Sequence, residues 1–358
     1  MSDDGLTSYR GAMPRSTAEL LKWHGSAPGE EALEPELAVV DPHIHLFGEV
    51  TDIHYYRLGD FGRDLAGGHN VVKTVYVEAF EPGWHKTGPE QLRPVGEVET
   101  IVKGTATPLP TRHGHCEVAA GIVAHADLTL GYAVAEVLQA HALAAQGRLR
   151  GVRQMIARDD GLVGRFIKEM PRKHLLMDTK FRAGFSQLQS HGLSFDLWGF
   201  HHQLEELIQL VDSFPETSVV LDHVGGLLGI GEYRSDQNAV FAHWKGLLRQ
   251  LAARPNVSVK VGGMGTPHSG FGFEHQPRPA TSAQLARAWQ PLIDTCVDTF
   301  GTKRCMFESN FPVDKQSCGY VELWNAFKLA TRSMSPDERN DLFFGTACRV
   351  YRLGLEAP

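Results

Sequence analysis

The sequence predicts an α/β protein, a single-domain closed (β/α)8 barrel behind an N-terminal arm. Three observations predict it. The chain has 358 residues, 42% hydrophobic and 22% charged, which suits one large globular core and excludes disorder and fibrous repeats. From Leu37 onward, short apolar or β-branched runs alternate with helical stretches, the pattern of repeated βα units around a parallel sheet. Eight such runs occur with no linker and no fixed-period repeat, favouring one closed barrel over two doubly wound sheets.

Residues 1–36 read as the arm, polar and broken by Pro14, Pro28 and Pro35, with one helix over 16–23. Residues 37–358 form the barrel. Its strands are expected at 38–41, 74–78, 120–124, 149–154, 194–197, 218–222, 257–261 and 305–307. Amphipathic patterns place helices at 96–102, 131–146, 203–214, 238–253, 282–300 and 321–331. Two stretches rich in Gly, Pro and His, 81–115 and 262–280, read as long βα loops, the kind from which barrel enzymes build their sites.

A net charge of -7 and a pI near 6.2 argue against binding nucleic acid or an anionic membrane surface. No apolar run is long enough to span a bilayer, and Met1–Arg10 lacks the features of a secretion signal, so a cytoplasmic protein is expected. Five scattered cysteines without a CxxC pair read as buried reduced thiols. The unusual count is 18 histidines.

The strongest chemical signal is Asp41-Pro-His43-Ile-His45, where a β-branched run ends. In a strand, residues two apart face the same way, so His43 and His45 project together and can share a metal ion or a substrate oxygen. A second apolar strand stops at His223, followed by glycines that admit a ligand close to the backbone. A third ends in Glu308, Ser309 and Asn310 and turns at Pro312. Arg153, Lys260, His201 and Glu78 also end or follow predicted strands and are candidates for substrate binding, with structural salt bridges or caps as the competing reading. His85, His113, His115, His268 and His275 lie in the long loops and could line a mouth.

Taken in order, Asp41-x-His43-x-His45, Leu221-Asp-His-Val-Gly-Gly226 and Met306-Phe-Glu-Ser-Asn-Phe-Pro312 resemble the amidohydrolase superfamily, and within it the amidohydrolase-2 branch of TIM-barrel hydrolases that includes pyrone and sugar lactonases. The likeness spans residues 39–353. It implies that the first-strand His-x-His, the sixth-strand histidine and an eighth-strand acidic residue meet at the C-terminal mouth, at His43, His45, His223 and position 310. The segment 195–204 is similar to the branch's fifth strand, which favours His201 over His202.

The resemblance further implies a lactonase-like hydrolase acting on a cyclic ester of a small carboxylated or hydroxylated metabolite. His43, His45, His223, Asn310 and Glu308 would be catalytic, and Arg153, His201, Lys260 and Glu78 would bind substrate. His43, His45 and His223 would polarise the carbonyl or hold one divalent metal, zinc or manganese; members of this branch can also work without metal. Arg153 stands where a carboxylated lysine would be needed for a binuclear site. Asn310 replaces the aspartate many relatives carry, and an amide has no basic lone pair near neutral pH. The base is then Glu308, His223, His201 or Asp314. Two alternatives stand beside this reading: a metal-dependent non-oxidative decarboxylase, and a ligand-binding barrel without turnover. The expected partner is a small-molecule substrate, and the expected state a monomer or homodimer.

Overall fold

A computed structural model describes residues 13–79, 83–167 and 169–354. Eight parallel strands form the barrel in the order β1 (Ala38–Ile44), β2 (Asn70–Val77), β4 (Gly114–His125), β5 (Leu149–Arg153), β6 (Ser194–Leu197), β7 (Val219–Leu221), β8 (Val257–Val261) and β9 (Cys305–Phe307). Each of the eight expected runs falls on one of these strands. The sheet nearly closes on itself between β1 and the residues just past β9. Ile44 bridges Phe311, His45 N donates to Phe311 O at 2.8 Å, and Asn310 N donates to His43 O at 3.0 Å.

Alternation along these strands separates two environments. Phe195, Leu197, Val219, Leu221, Val257, Val259, Val261, Cys305 and Phe307 pack outward with the helical layer. Their neighbours face the axis. Val40, Val123, Val220 and Met306 form an apolar floor with Tyr351 and Leu353, from the C-terminal helix Thr346–Tyr351 and the turn after it. One inward position further on, Val220 gives way to Asp222 and Met306 to Glu308, and Asp196 and Lys260 face the axis beside them. The barrel is thus apolar at its base and charged toward its C-terminal end.

β1 runs past the expected end to Ile44, with a register shift between Asp41 and Ile44 around Pro42. The largest departure lies in 81–115, expected as a loop. It contains the helix Val95–Gly104 and a short strand, β3 (Leu109–Thr111), antiparallel to β4. Pro110 disguises β3 in the sequence, yet proline is tolerated on an edge strand, where its missing N–H costs no ladder bond. The helices Leu58–Leu65 and Thr179–Phe185 were likewise not expected; both are short and carry internal glycines.

In the arm, the helix Thr17–His24 starts at a capping box between Ser16 and Glu19. It docks on the loops that follow β8 and β9. Trp23 Nε1 donates to Gln276 O at 2.9 Å, and Arg15 and Gln316 exchange hydrogen bonds of 3.0 and 2.9 Å. The five cysteines are buried and unpaired, and no described helix is long and apolar enough to cross a membrane.

Asp41 ties the two ends of the barrel together. Its carboxylate accepts from Ser309 N at 3.0 Å and Tyr320 Oη at 2.9 Å, in full burial. Tyr320→Phe removes one charge-assisted bond from this clasp and should cost about 1.5–3 kcal/mol in unfolding free energy. Chemical denaturation checks it; an unchanged midpoint would mean that the clasp does not hold the barrel shut.

Candidate active site

The charged layer of the barrel forms one cluster. Glu308, just past β9, places Oε1 2.7 Å from His223 Nδ1 and Oε2 2.7 Å from His43 Nδ1, so a single carboxylate joins the first and sixth barrel strands. Lys260 Nζ lies 2.8 Å from Asp196 Oδ2, 2.9 Å from Asp222 Oδ1 and 3.2 Å from His43 Nδ1. Tyr351 Oη donates to Asp196 at 2.5 Å from the floor below. Arg153 is forked onto Glu78, Nε to the carboxylate at 2.7 Å and Nη2 to the carbonyl at 2.5 Å. Its remaining nitrogen, Nη1, faces His43 Nε2 at 3.4 Å and Asp222 Oδ2 at 3.7 Å. Every one of these side chains is buried.

The backbone that presents them is held in an uncommon conformation. His223, Val224 and Asn310 all have positive φ, 53°, 49° and 53°, a region that β-branched valine in particular avoids. Such strain persists where the surroundings over-determine it, and here it turns the chain sharply at the ends of β7 and β9. Gly263 lies against the His223 ring, where a Cβ would stand 2.2 Å from Nδ1. Only glycine fits there.

Hydrogen-bond partners fix the tautomers. His45 Nδ1 faces the carbonyl of Val77 at 2.8 Å and must donate to it, which leaves Nε2 bare. His43 Nδ1 faces Glu308 and carries its proton, so its Nε2 is bare as well. The two bare Nε2 atoms stand 3.2 Å apart. Burial holds both imidazoles neutral, His43 well below its ordinary value with help from Lys260, and His45 at about 3 with help from Arg153. His223 behaves oppositely: burial pulls its pKa down, but Glu308, with Asp222 and Asp314, outweighs burial and the net shift is upward. The same pairing outweighs burial at Glu308 and holds that carboxyl far below the ordinary range.

The structure therefore brings together His43, His45, His223, Glu308, Arg153, Lys260 and Glu78. It adds Asp196, Asp222 and Tyr351, which the sequence reading passed over although Asp196 and Asp222 occupy inward positions at strand ends. His201 is placed apart: its Nδ1 accepts from Leu228 N at 3.4 Å and its ring packs against Tyr233 and His243. Asn310 donates through Nδ2 to Asp314 Oδ1 at 2.9 Å, and Gly265 N donates to the other oxygen at 2.8 Å. Of the loop histidines, His268 is buried against Phe200 and bonded to Thr266 Oγ1 at 3.0 Å, while His85 pairs with Glu99 at the surface.

Among the described residues, one group of side chains could hold a metal ion: His43, Asp222 and His223, with one ligand atom from each within 4.8 Å of the others. The expected trio of His43, His45 and His223 does not form such a group; Asp222 stands in place of His45. Neither oxygen of Asp222 accepts a well-directed hydrogen bond. Two fixed cations nevertheless stand at this group, Lys260 and Arg153. A unit charge 4 Å from another costs on the order of 4 kcal/mol at an effective dielectric of 20, and a divalent ion doubles that. The donors suit a cation, and Lys260 and Arg153 stand beside them.

The family model described as amidohydrolase matches residues 105–353, from just before β3 to the end of the fold. The chain belongs to the amidohydrolase family. Strands β1 and β2, with the His-x-His pair, precede the matched segment yet complete the same barrel. The y4mH protein of Sinorhizobium fredii is 30% identical over 339 residues, covering 89% of this chain and 99% of its own. An L-fucono-1,5-lactonase of Burkholderia multivorans is 30% identical over 207 residues, 58% of this chain and 64% of the lactonase. A crystal structure of an amidohydrolase from B. multivorans with bound HEPES has the same fold, with a TM-score of 0.67 at 23% identity over 88% of this chain and 100% of that one. In another crystal form it carries zinc, with a TM-score of 0.63 at 22% identity over the same shares of the two chains. This amidohydrolase is an enzyme, a hydrolase with lactonases among its relatives.

Two outcomes follow from the geometry. The raised pKa of His223 contributes stability that is complete below its ordinary value of 6.5 and is lost as pH rises through the raised one. Glu308→Gln removes the charge that raises it, so an NMR titration of the His223 ring should move to lower pH; an unmoved titration would disprove the pairing. Burial pushes Asp314 up to about 7. Asn310→Asp sets a second carboxylate against it, so the variant should match the wild type near pH 5 and lose about 1–3 kcal/mol as pH rises through 7, by denaturant titration. Equal stability at high pH would contradict the contact.

Proposed function

We propose that this amidohydrolase opens a lactone, or another activated cyclic ester, of a small carboxylated or hydroxylated metabolite. The observation that carries the reading is the carboxylate of Glu308 held 2.7 Å from both His223 Nδ1 and His43 Nδ1. With Nδ1 engaged, His223 has Nε2 as its working nitrogen, at the C-terminal end of the barrel where sites of this fold are built. The lactonase among the relatives supports the substrate class.

In this mechanism water attacks the lactone carbonyl while His223 Nε2 takes its proton, and the carbonyl electron pair moves onto oxygen. Arg153 Nη1 and the Lys260 ammonium provide the positive field that stabilises the oxyanion. Collapse of the tetrahedral species breaks the bond to the ring oxygen. The proton on His223 Nε2 passes to that oxygen and releases an open hydroxy acid. Glu308 fixes the imidazole and stabilises its cationic form, an orienting role for which Asn310 is unsuited because its amide is spent on Asp314. Arg153, with two nitrogens committed to Glu78, meets substrate through Nη1 alone.

The test is proton release by the purified protein against a panel of sugar-acid, pyrone and muconic lactones. Turnover is expected on at least one class, increasing with pH as His223 deprotonates. His223→Asn should lower kcat/KM by about 10²–10⁴ with the fold intact by circular dichroism. Silence on the whole panel, carbon dioxide release instead, or an unimpaired His223→Asn variant would each overturn the reading.

A further inference from the structure

Two bare imidazole nitrogens and a carboxylate without directed hydrogen bonds are, in a protein interior, a place prepared for positive charge. Two observations say what fills it. Arg153 Nη1 stands 3.4 Å from His43 Nε2 and 3.7 Å from Asp222 Oδ2. Lys260 Nζ stands 2.9 Å from Asp222 Oδ1 and 3.2 Å from His43 Nδ1. Both oxygens of Asp222 and the bare Nε2 of His43 therefore face a cation the chain itself provides.

Neither cation can readily leave. Arg153 is anchored from behind by two hydrogen bonds to Glu78, and Lys260 by Asp196, which Tyr351 holds in turn. A divalent ion binding His43, Asp222 and His223 would have to displace one of these anchored groups or sit against it.

We propose that Arg153 and Lys260 are the resident cations of this centre, and that they exclude a divalent ion from His43, Asp222 and His223. The site then carries the donors of a metal centre without the metal, and Arg153 is the residue that sets this. The inference stands on the arrangement of charges and is independent of the substrate.

It is tested by metal binding to the full-length protein, with no reference to turnover. Protein stripped with a chelator is dialysed against Zn²⁺ or Co²⁺, and metal is read by elemental analysis and by the visible absorption of bound Co²⁺. Wild type is expected to retain well under one equivalent. Arg153→Gln, and Arg153→Gln with Glu78→Gln to keep the buried charges balanced, should gain about one equivalent, bound on the order of a thousandfold tighter than in wild type. Adding His43→Ala to either should abolish the gain. One tightly held equivalent in wild type would overturn the proposal whatever the variants do, and so would a double variant that keeps its circular dichroism spectrum and binds nothing.

Discussion

Charge buried inside a barrel has to be cancelled in place, because each uncompensated ion costs several kcal/mol. In this protein Glu78, Asp196, Asp222 and Glu308 are set against Arg153, Lys260 and His223, all within the layer just above an apolar floor. Several of these groups have more than one partner. Asp222 faces both cations, Glu308 both histidines, and Lys260 both aspartates. The strands that bear these residues are joined twice over, by the ladder along their backbones and by charge across the axis. Changing any one member alters the electrostatics of all the others.

That coupling gives the site its chemical character. Neutral His43 and His45 beside a His223 whose pKa is raised arise from the same residue types in the same layer, separated only by which carboxylate or cation each faces. The positive φ at His223 and at Asn310 keeps this pattern, because a relaxed turn at either strand end would swing the ring or the amide away from its partner.

Much of this was legible in the sequence. Apolar runs that stop at a titratable residue located the barrel strands and also His43, His45, His223 and Glu308, since in a parallel barrel the strand end is the site. Asp196 and Asp222 carried the same signal, lying two residues past an inward apolar or small residue, but each was hidden beside a more conspicuous histidine segment. Tyr351 could not be read at all: it reaches Asp196 across 155 residues of chain, and no local pattern encodes such a contact. The assignment of His201 relied on segment likeness, and that ring packs against Tyr233 at the start of a short 3-10 turn. β3 was concealed by prolines, and the short helices by glycines, where tertiary packing overrode local propensity.

The clasp between β1 and the turn after β9 also governs when the site can exist. His43 leaves the ribosome early and its partner Glu308 near the end, some tens of seconds later at ordinary elongation rates. The arm waits equally long, since Arg15 pairs with Gln316, 301 residues away. Until then His43 and His223 lack the carboxylate that joins them, although Arg153 and Lys260 already precede it in the chain to face Glu78, Asp196 and Asp222. A chain truncated before β9 would therefore be inert, its histidines left without the group that orients them. Such a fragment keeps both cations of the centre and loses the one anion that orders its histidines.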